Sequence, residues 1–396
     1  MLLSERANRI KPSPTLAISA RAKRLRAQGE DVISFDVGEP DFDTPAAIKQ
    51  AAIEALQQGF TKYTAAAGID ELRAAICRKL QEENHLTYEP NQIVVSCGAK
   101  HALFNIFQAL LNPGDEVIIP APYWVSYPDQ VLLADGKPVF IIGTEAQGFK
   151  ITAEQLAAAI TPRTRAVVIN SPSNPAGAVY TLQELRALAE VVLQHKDVYV
   201  ISDEIYERLV YDGAAQVSIA SLGDEIKQRT IVVNGFSKTF AMTGWRLGYT
   251  ASDAKLATAM ANIQSQSTSN PTSFVQIGGL AALQLSAEEV NAMVAEFDRR
   301  RRRIVELLNN LPGVSCRPPQ GAFYAFANVS GTFGKTYKGQ LIETSDALAQ
   351  YLLEEAKVAI VPGEGFGMGT HARLSYATSV ENIEEGLARV HQALTG

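Results

Sequence analysis

Cysteine is scarce in this chain of 396 residues: Cys77, Cys97 and Cys316 are the only three. No two form a C-x-x-C pair, and the count is odd, so a reducing compartment with buried or idle thiols is expected. Histidine is as thin: His85, His101, His195, His371 and His391 are scattered without metal-ligand spacing. No apolar run approaches the ~18 residues of a membrane span, and residues 1–6 carry no signal-peptide core. A cytoplasmic protein without a membrane partner is expected. Excess positive charge is missing too. With 36 Lys+Arg against 42 Asp+Glu the net charge is −6, which disfavours a nucleic-acid partner. The local exception is residues 299–303, all arginine. They lie in a helix-like segment, 294–308, and read as a solvated face pairing with nearby acids.

What the chain does contain is alternation. Apolar runs of strand length at 92–96, 116–119, 139–142, 166–170, 198–202 and 231–234 are interleaved with or followed by helical patterns at 101–111, 123–133, 182–193, 253–266 and 273–285. Continuous apolar strands are buried on both faces, so this predicts α/β architecture with a mostly parallel sheet covered by helices. Short strands at 322–326, 358–360 and 372–376, between helices at 345–356 and 380–394, predict a smaller α+β domain, joined to the first by a helix over 287–311. The turn-rich start around Pro12, Pro14, Gly38, Pro40 and Pro45 is expected to wrap back onto that second domain. The division expected is 1–45, 46–287 and 288–396. A glycine-dense stretch, Gly363 to Gly369, leads into a strand and not a helix, so it is no dinucleotide fingerprint.

In open α/β sheets ligands gather past the carboxyl ends of the strands. Past 92–96 come Ala99 and Lys100, where helix N–H groups favour a phosphate. Past 166–170 comes Asn174, past 198–202 come Asp203 and Tyr206, and past 231–234 come Ser237 and Lys238, with Arg246 eight residues on. This set makes physical sense around pyridoxal 5′-phosphate. Lys238, Asp203 and Tyr206 are the candidate catalytic residues. Lys238 would form a Schiff base and move the Cα proton. Asp203 would keep the ring nitrogen protonated, making the ring an electron sink. Asn174 and Tyr206 would hydrogen-bond the phenolic oxygen, Ser237, Arg246 and the Ala99–Lys100 turn would hold the phosphate, and Trp124 would stack on the ring. Arg373 would bind a carboxylate in a two-pronged fork. The plainer alternatives are a core Trp124, a helix-surface Tyr206, an Asp203 that only caps a helix, and an Arg373 held in a structural ion pair.

Several motifs agree with one family in order along nearly the whole chain: Gly38-Glu39-Pro40-Asp41-Phe42, Tyr63, Pro122-Tyr123-Trp124, the run from Asn170 to Gly177, Ser202-Asp203-Glu204-Ile205-Tyr206, Ser237-Lys238 through Gly244-Trp245-Arg246, and Arg373-Leu374-Ser375. The chain resembles the fold type I pyridoxal-phosphate aminotransferases, in the bacterial aspartate aminotransferase subgroup that includes aspartate/prephenate aminotransferases. Ala99 and Ala176 depart mildly from the family pattern and remove no catalytic group. The resemblance implies a seven-stranded sheet and a homodimer whose active sites are shared, with Tyr63 reaching the neighbouring subunit's phosphate. It implies that Gly38, Trp124 and Asn174 lie beside Arg373 at the substrate carboxylate. It also implies that Lys100 reads an acidic side chain, helped by Ser13 and Thr15, with Lys11 toward prephenate. The implied reaction is ping-pong transfer of an amino group from aspartate to 2-oxoglutarate. A transaminase for aromatic or neutral amino acids and a C–S β-lyase on the same fold are the alternatives, since they share the cofactor residues.

Overall fold

The computed structural model describes residues 2–10 and 14–395, with side chains left undescribed at 14–16. Its centre is a seven-stranded sheet: β1 (Ile93–Ser96), β2 (Glu116–Ala121), β3 (Lys137–Ile142), β4 (Thr164–Asn170), β5 (Tyr199–Asp203), β6 (Thr230–Gly235) and β7 (Gly248–Ala251). The order across it is β1-β7-β6-β5-β4-β2-β3, and only β7 runs against the rest. Six of the seven strands are buried along most or all of their length, β1, β6 and β7 wholly so, as both-face helix cover requires. The sheet has the expected seven strands, although β7 matches no run read above. Its sequence, Gly-Tyr-Thr-Ala, is too short and too mixed to read as an apolar run.

Where capping chemistry is explicit, the element bounds agree with expectation. Helix Leu182–Leu193 starts at Thr181, which forms a reciprocal capping box with Glu184. Where it is not, they shift. The helix expected over 123–133 begins only at Ser126, leaving Trp124 in the strand-to-helix turn. No helix follows β5: residues 205–208 form turns, and Tyr206 is buried. Asp203 therefore caps no helix, and Tyr206 is no surface tyrosine.

Beyond the sheet, helix Ala287–Asn309 leads into β8 (Tyr324–Asn328), β9 (Val361–Pro362) and β10 (His371–Ser375), an antiparallel sheet in the order β9-β10-β8. The strand expected over 358–360 covers only Val358–Ala359, which pairs in parallel with Ile33–Ser34, and the separate Val361–Pro362, just past it, joins the sheet. Helix Pro14–Ala27 packs through Ile18 and Ala22 against Val32, Leu353 and Ala359. The N-terminal stretch thus rests on the C-terminal third. The arginine run needs correction. Arg300 and Arg301 are buried, while all five pair with acids such as Asp41, Glu296, Asp298, Asp212, Glu306 and Glu384. At 3.6 residues per turn, five consecutive side chains point all round a helix, so two must face inward. Among the described residues, no helix is long and apolar enough to cross a membrane.

Candidate active site

The register of the parallel strands places Asn170 opposite Asp203 and Asp203 opposite Val233, so the loops after β4, β5 and β6 leave one edge together. The loop after β1 joins them through a close approach. Gly248 faces the start of helix Ala99–Leu110 so tightly that a Cβ there would collide with the Ala99 nitrogen. Gly98 has φ +88, and a Cβ on it would stand 2.6 Å from the Arg246 guanidinium. A side chain at either glycine would push this helix N-terminus away from Arg246.

These loops line a cavity of about 400 Å³. It collects eleven of the expected site residues: Gly38, Ala99, Lys100, Trp124, Asn174, Asp203, Tyr206, Ser237, Lys238, Arg246 and Arg373. Lys238 is part of its wall and donates from Nζ to the Gly38 carbonyl at 2.6 Å. Burial lowers the Lys238 pKa from 10.5 to about 8; Glu39 acts against this, and the Arg373 charge acts with it. Burial raises the Asp203 pKa from 3.8 to about 6, opposed most by a hydrogen bond from the Tyr127 hydroxyl to Asp203 Oδ2 at 2.6 Å.

Tyr206 shares a 2.9 Å hydrogen bond with the Tyr324 hydroxyl. Burial, then Tyr324, holds its pKa well above the ordinary value, so it keeps its proton and can donate it in a hydrogen bond. Arg373 makes no ion pair among the described residues, which removes its structural alternative. Its Nη1 donates to Asn174 Oδ1 at 3.1 Å and its Nη2 to the Asp36 carbonyl at 2.8 Å, with its guanidinium carbon 4.5 Å from the Tyr324 ring centre. Asn174 is thereby oriented with its oxygen engaged, which leaves its NH₂ as the donor. Lys100 is an exposed residue, yet its ammonium lies 5.0 Å over the Trp124 ring. Trp124 is half-buried in the cavity wall and is not a core residue.

Tyr63 does not join the cavity of its own chain and is 90% exposed. Lys11 and Ser13 lie outside the described residues, and so does the side chain of Thr15, which falls in the first turn of helix Pro14–Ala27. The sequence reading missed Tyr127, Tyr324, Asp36 and Ser19, all of which line the cavity. None of the four had a usable signal, because each joins the cavity through contacts with segments distant in the chain.

A family model for aminotransferases of class I and II matches residues 30–390. The chain belongs to that family. It is 49% identical over 390 residues to an aspartate aminotransferase of Bacillus subtilis, covering 98% of each chain. It is 48% identical to an aspartate/prephenate aminotransferase of Nitrosomonas europaea, covering 100% of each. The fold matches the aspartate aminotransferase of Rhizobium meliloti with a TM-score of 0.97 at 47% identity, over 100% of this chain and 99% of that one. It matches the Thermus thermophilus aspartate aminotransferase with maleate at 0.94 and 44%, over 100% of both chains. The protein is an aminotransferase with the fold type I architecture.

Proposed function

We propose that this aminotransferase moves the amino group of L-aspartate to 2-oxoglutarate, giving oxaloacetate and L-glutamate by a ping-pong sequence, with prephenate as a further acceptor. The observation that carries this reading is the charge layout of the cavity. A guanidinium fork at Arg373 and a separate ammonium at Lys100 stand in the same wall as a buried lysine, Lys238. Two cationic groups suit a dicarboxylate, and the full-length relatives named for aspartate support the same substrate.

The family implies pyridoxal 5′-phosphate, and the residues fit it. Arg246 makes no ion pair among the described residues and stands against the start of helix Ala99–Leu110, the donor set a phosphate dianion needs. When bound, the cofactor supplies a carbonyl that takes up the amino group and a ring that delocalises the electron pair left at Cα. Arg246, Ser237 and the Ala99–Lys100 turn would hold its phosphate, with Tyr63 of the second subunit. Asp203 would hold the ring nitrogen as a charged pair, Tyr206 and Asn174 the phenolic oxygen, and Trp124 a ring face. Arg373, with Gly38 and Asn174, would hold the substrate α-carboxylate. Lys238 would take the Cα proton on Nζ. A pKa of about 8 leaves a usable fraction of free amine at neutral pH.

Lys100, with Ser13 and Thr15, would read the distal carboxylate, and Lys11 the extra carboxylate of prephenate. In Lys100→Ala, kcat/KM is expected to fall about tenfold to a hundredfold for aspartate and by less than about threefold for alanine. Steady-state kinetics with both amino acids checks this. Equal losses, or none, would remove Lys100 from the role.

We further propose a cytoplasmic homodimer, with the chain divided at 1–45, 46–287 and 288–396. The bare ring of Tyr63 and the neighbouring exposed Ile53, Leu56 and Phe60 support a partner on that face. Tyr63→Phe is expected to release cofactor about tenfold more readily, the size of one lost hydrogen bond to a charged group. Mixed with an inactive Lys238→Ala protein, it should give hybrids in which one of the two sites carries both defects and the other neither. Activity that never exceeds that of Tyr63→Phe alone would argue against shared sites.

A further inference from the structure

Two residues of the cavity wall have no part in the reading above. Asp36 is 2% exposed, and Ser19 stands on helix Pro14–Ala27. The Ser19 hydroxyl donates to Asp36 Oδ2, while Asp36 Oδ1 has no partner among the described residues. The main-chain carbonyl of Asp36 accepts from Arg373 Nη2 at 2.8 Å. One residue therefore joins a helix, through its side chain, to the guanidinium, through its main chain.

The surroundings leave this link few substitutes. Just before Asp36 the backbone is held on both sides: Phe35 N donates to Ala359 O at 2.8 Å, and Ser375 N to Phe35 O at 2.7 Å. Past that point, the side chain of Asp36 depends on Ser19. Among the described residues, the guanidinium has two hydrogen-bond acceptors, Asn174 Oδ1 and Asp36 O, and its Nε is buried without a partner. A buried carboxylate that lost the Ser19 hydroxyl would have no partner on either oxygen. Leaving it so costs more than turning it toward water. Where the backbone at Asp36 shifts with that turn, its carbonyl leaves Arg373 Nη2, and the fork loses one of its two fixed points.

We infer that Ser19 and Asp36 are positioning residues that hold Arg373 in the orientation a substrate carboxylate requires, so that seating of helix Pro14–Ala27 and carboxylate affinity are linked through one hydrogen bond. This rests on Arg373 being the carboxylate site proposed above. The fork is pre-organised by groups that never touch the substrate, and its advantage is orientation at no cost on binding.

The test compares wild type, Ser19→Ala and Ser19→Thr as holoenzymes. Maleate binding is titrated by calorimetry, KM and kcat are measured with aspartate, and cofactor affinity is measured separately. Ser19→Ala is expected to bind maleate about tenfold more weakly and to raise KM by a similar factor, with kcat within about twofold and cofactor affinity unchanged. Ser19→Thr, which keeps the hydroxyl, is expected to restore both values to within about twofold of wild type. Alanine on a helix favours folding, so the variant remains measurable. Wild-type maleate affinity in Ser19→Ala, or failure of Ser19→Thr to rescue, would overturn the link. A wild type that binds no maleate would instead overturn the carboxylate reading of Arg373.

Discussion

Lys238→Ala is expected to lower turnover by at least about ten-thousandfold, because the buried amine that would both carry the cofactor and accept the proton at Cα is lost. Single-turnover absorbance with excess aspartate checks it, and cofactor should stay in the site through Asp203, Ser237 and Arg246. Residual activity within a hundredfold of wild type would mean that another base serves. The same lysine has a signature in stability. Its folded pKa is about 8 and its ordinary value 10.5. Between those values the unfolded chain holds a proton that the folded chain has released, so stability rises with pH across the window. Below about pH 8 the full penalty of a buried ammonium is present, about 3 kcal/mol. Cofactor-free Lys238→Met should therefore unfold at higher urea than wild type at pH 7, and the gap should shrink toward pH 10. A gap constant with pH would exclude burial as its cause.

Asp203→Asn is expected to cost about a thousandfold or more in kcat/KM, since an amide cannot hold a proton on the ring nitrogen and the electron sink is lost. The Tyr127 hydroxyl gives the companion experiment. Its hydrogen bond to Asp203 Oδ2 is the largest contribution opposing the upward pull of burial on that carboxyl. Tyr127→Phe should raise the Asp203 pKa above about 6, so that activity is lost more severely at pH 6 than at pH 8. The Asp203→Asn loss should show no such slope, because its side chain does not titrate. A Tyr127→Phe profile parallel to wild type would show that the tyrosine only fills space.

The two sets of residues were unequally visible. Lys238, Asp203 and Asn174 could be found because each comes within four residues of the end of an apolar strand, and parallel strands deliver the residues past their ends to one edge. Tyr127 and Tyr324 could not. One sits inside a helix and the other opens a strand of the small sheet, where a tyrosine reads as core; their hydroxyl partners come from 76 and 118 residues away. Asp36 and Ser19 face the same obstacle, with no periodicity to mark them. β7 escaped for a different reason: a four-residue strand beginning with glycine gains its place from packing against its neighbours and the helix start, not from its own propensity.

By itself the sequence determined the α/β alternation, the strand ends that carry chemistry and the family motif. These depend on local period and on residue type, which are properties of short segments. The tertiary structure decided the rest. It buried Lys238 and Asp203 enough to move their pKa values in opposite directions, and it turned Arg300 and Arg301 inward. It also put the Asp36 carbonyl on Arg373. Each of these depends on burial or on contacts between distant segments, and neither is encoded in a local stretch of chain.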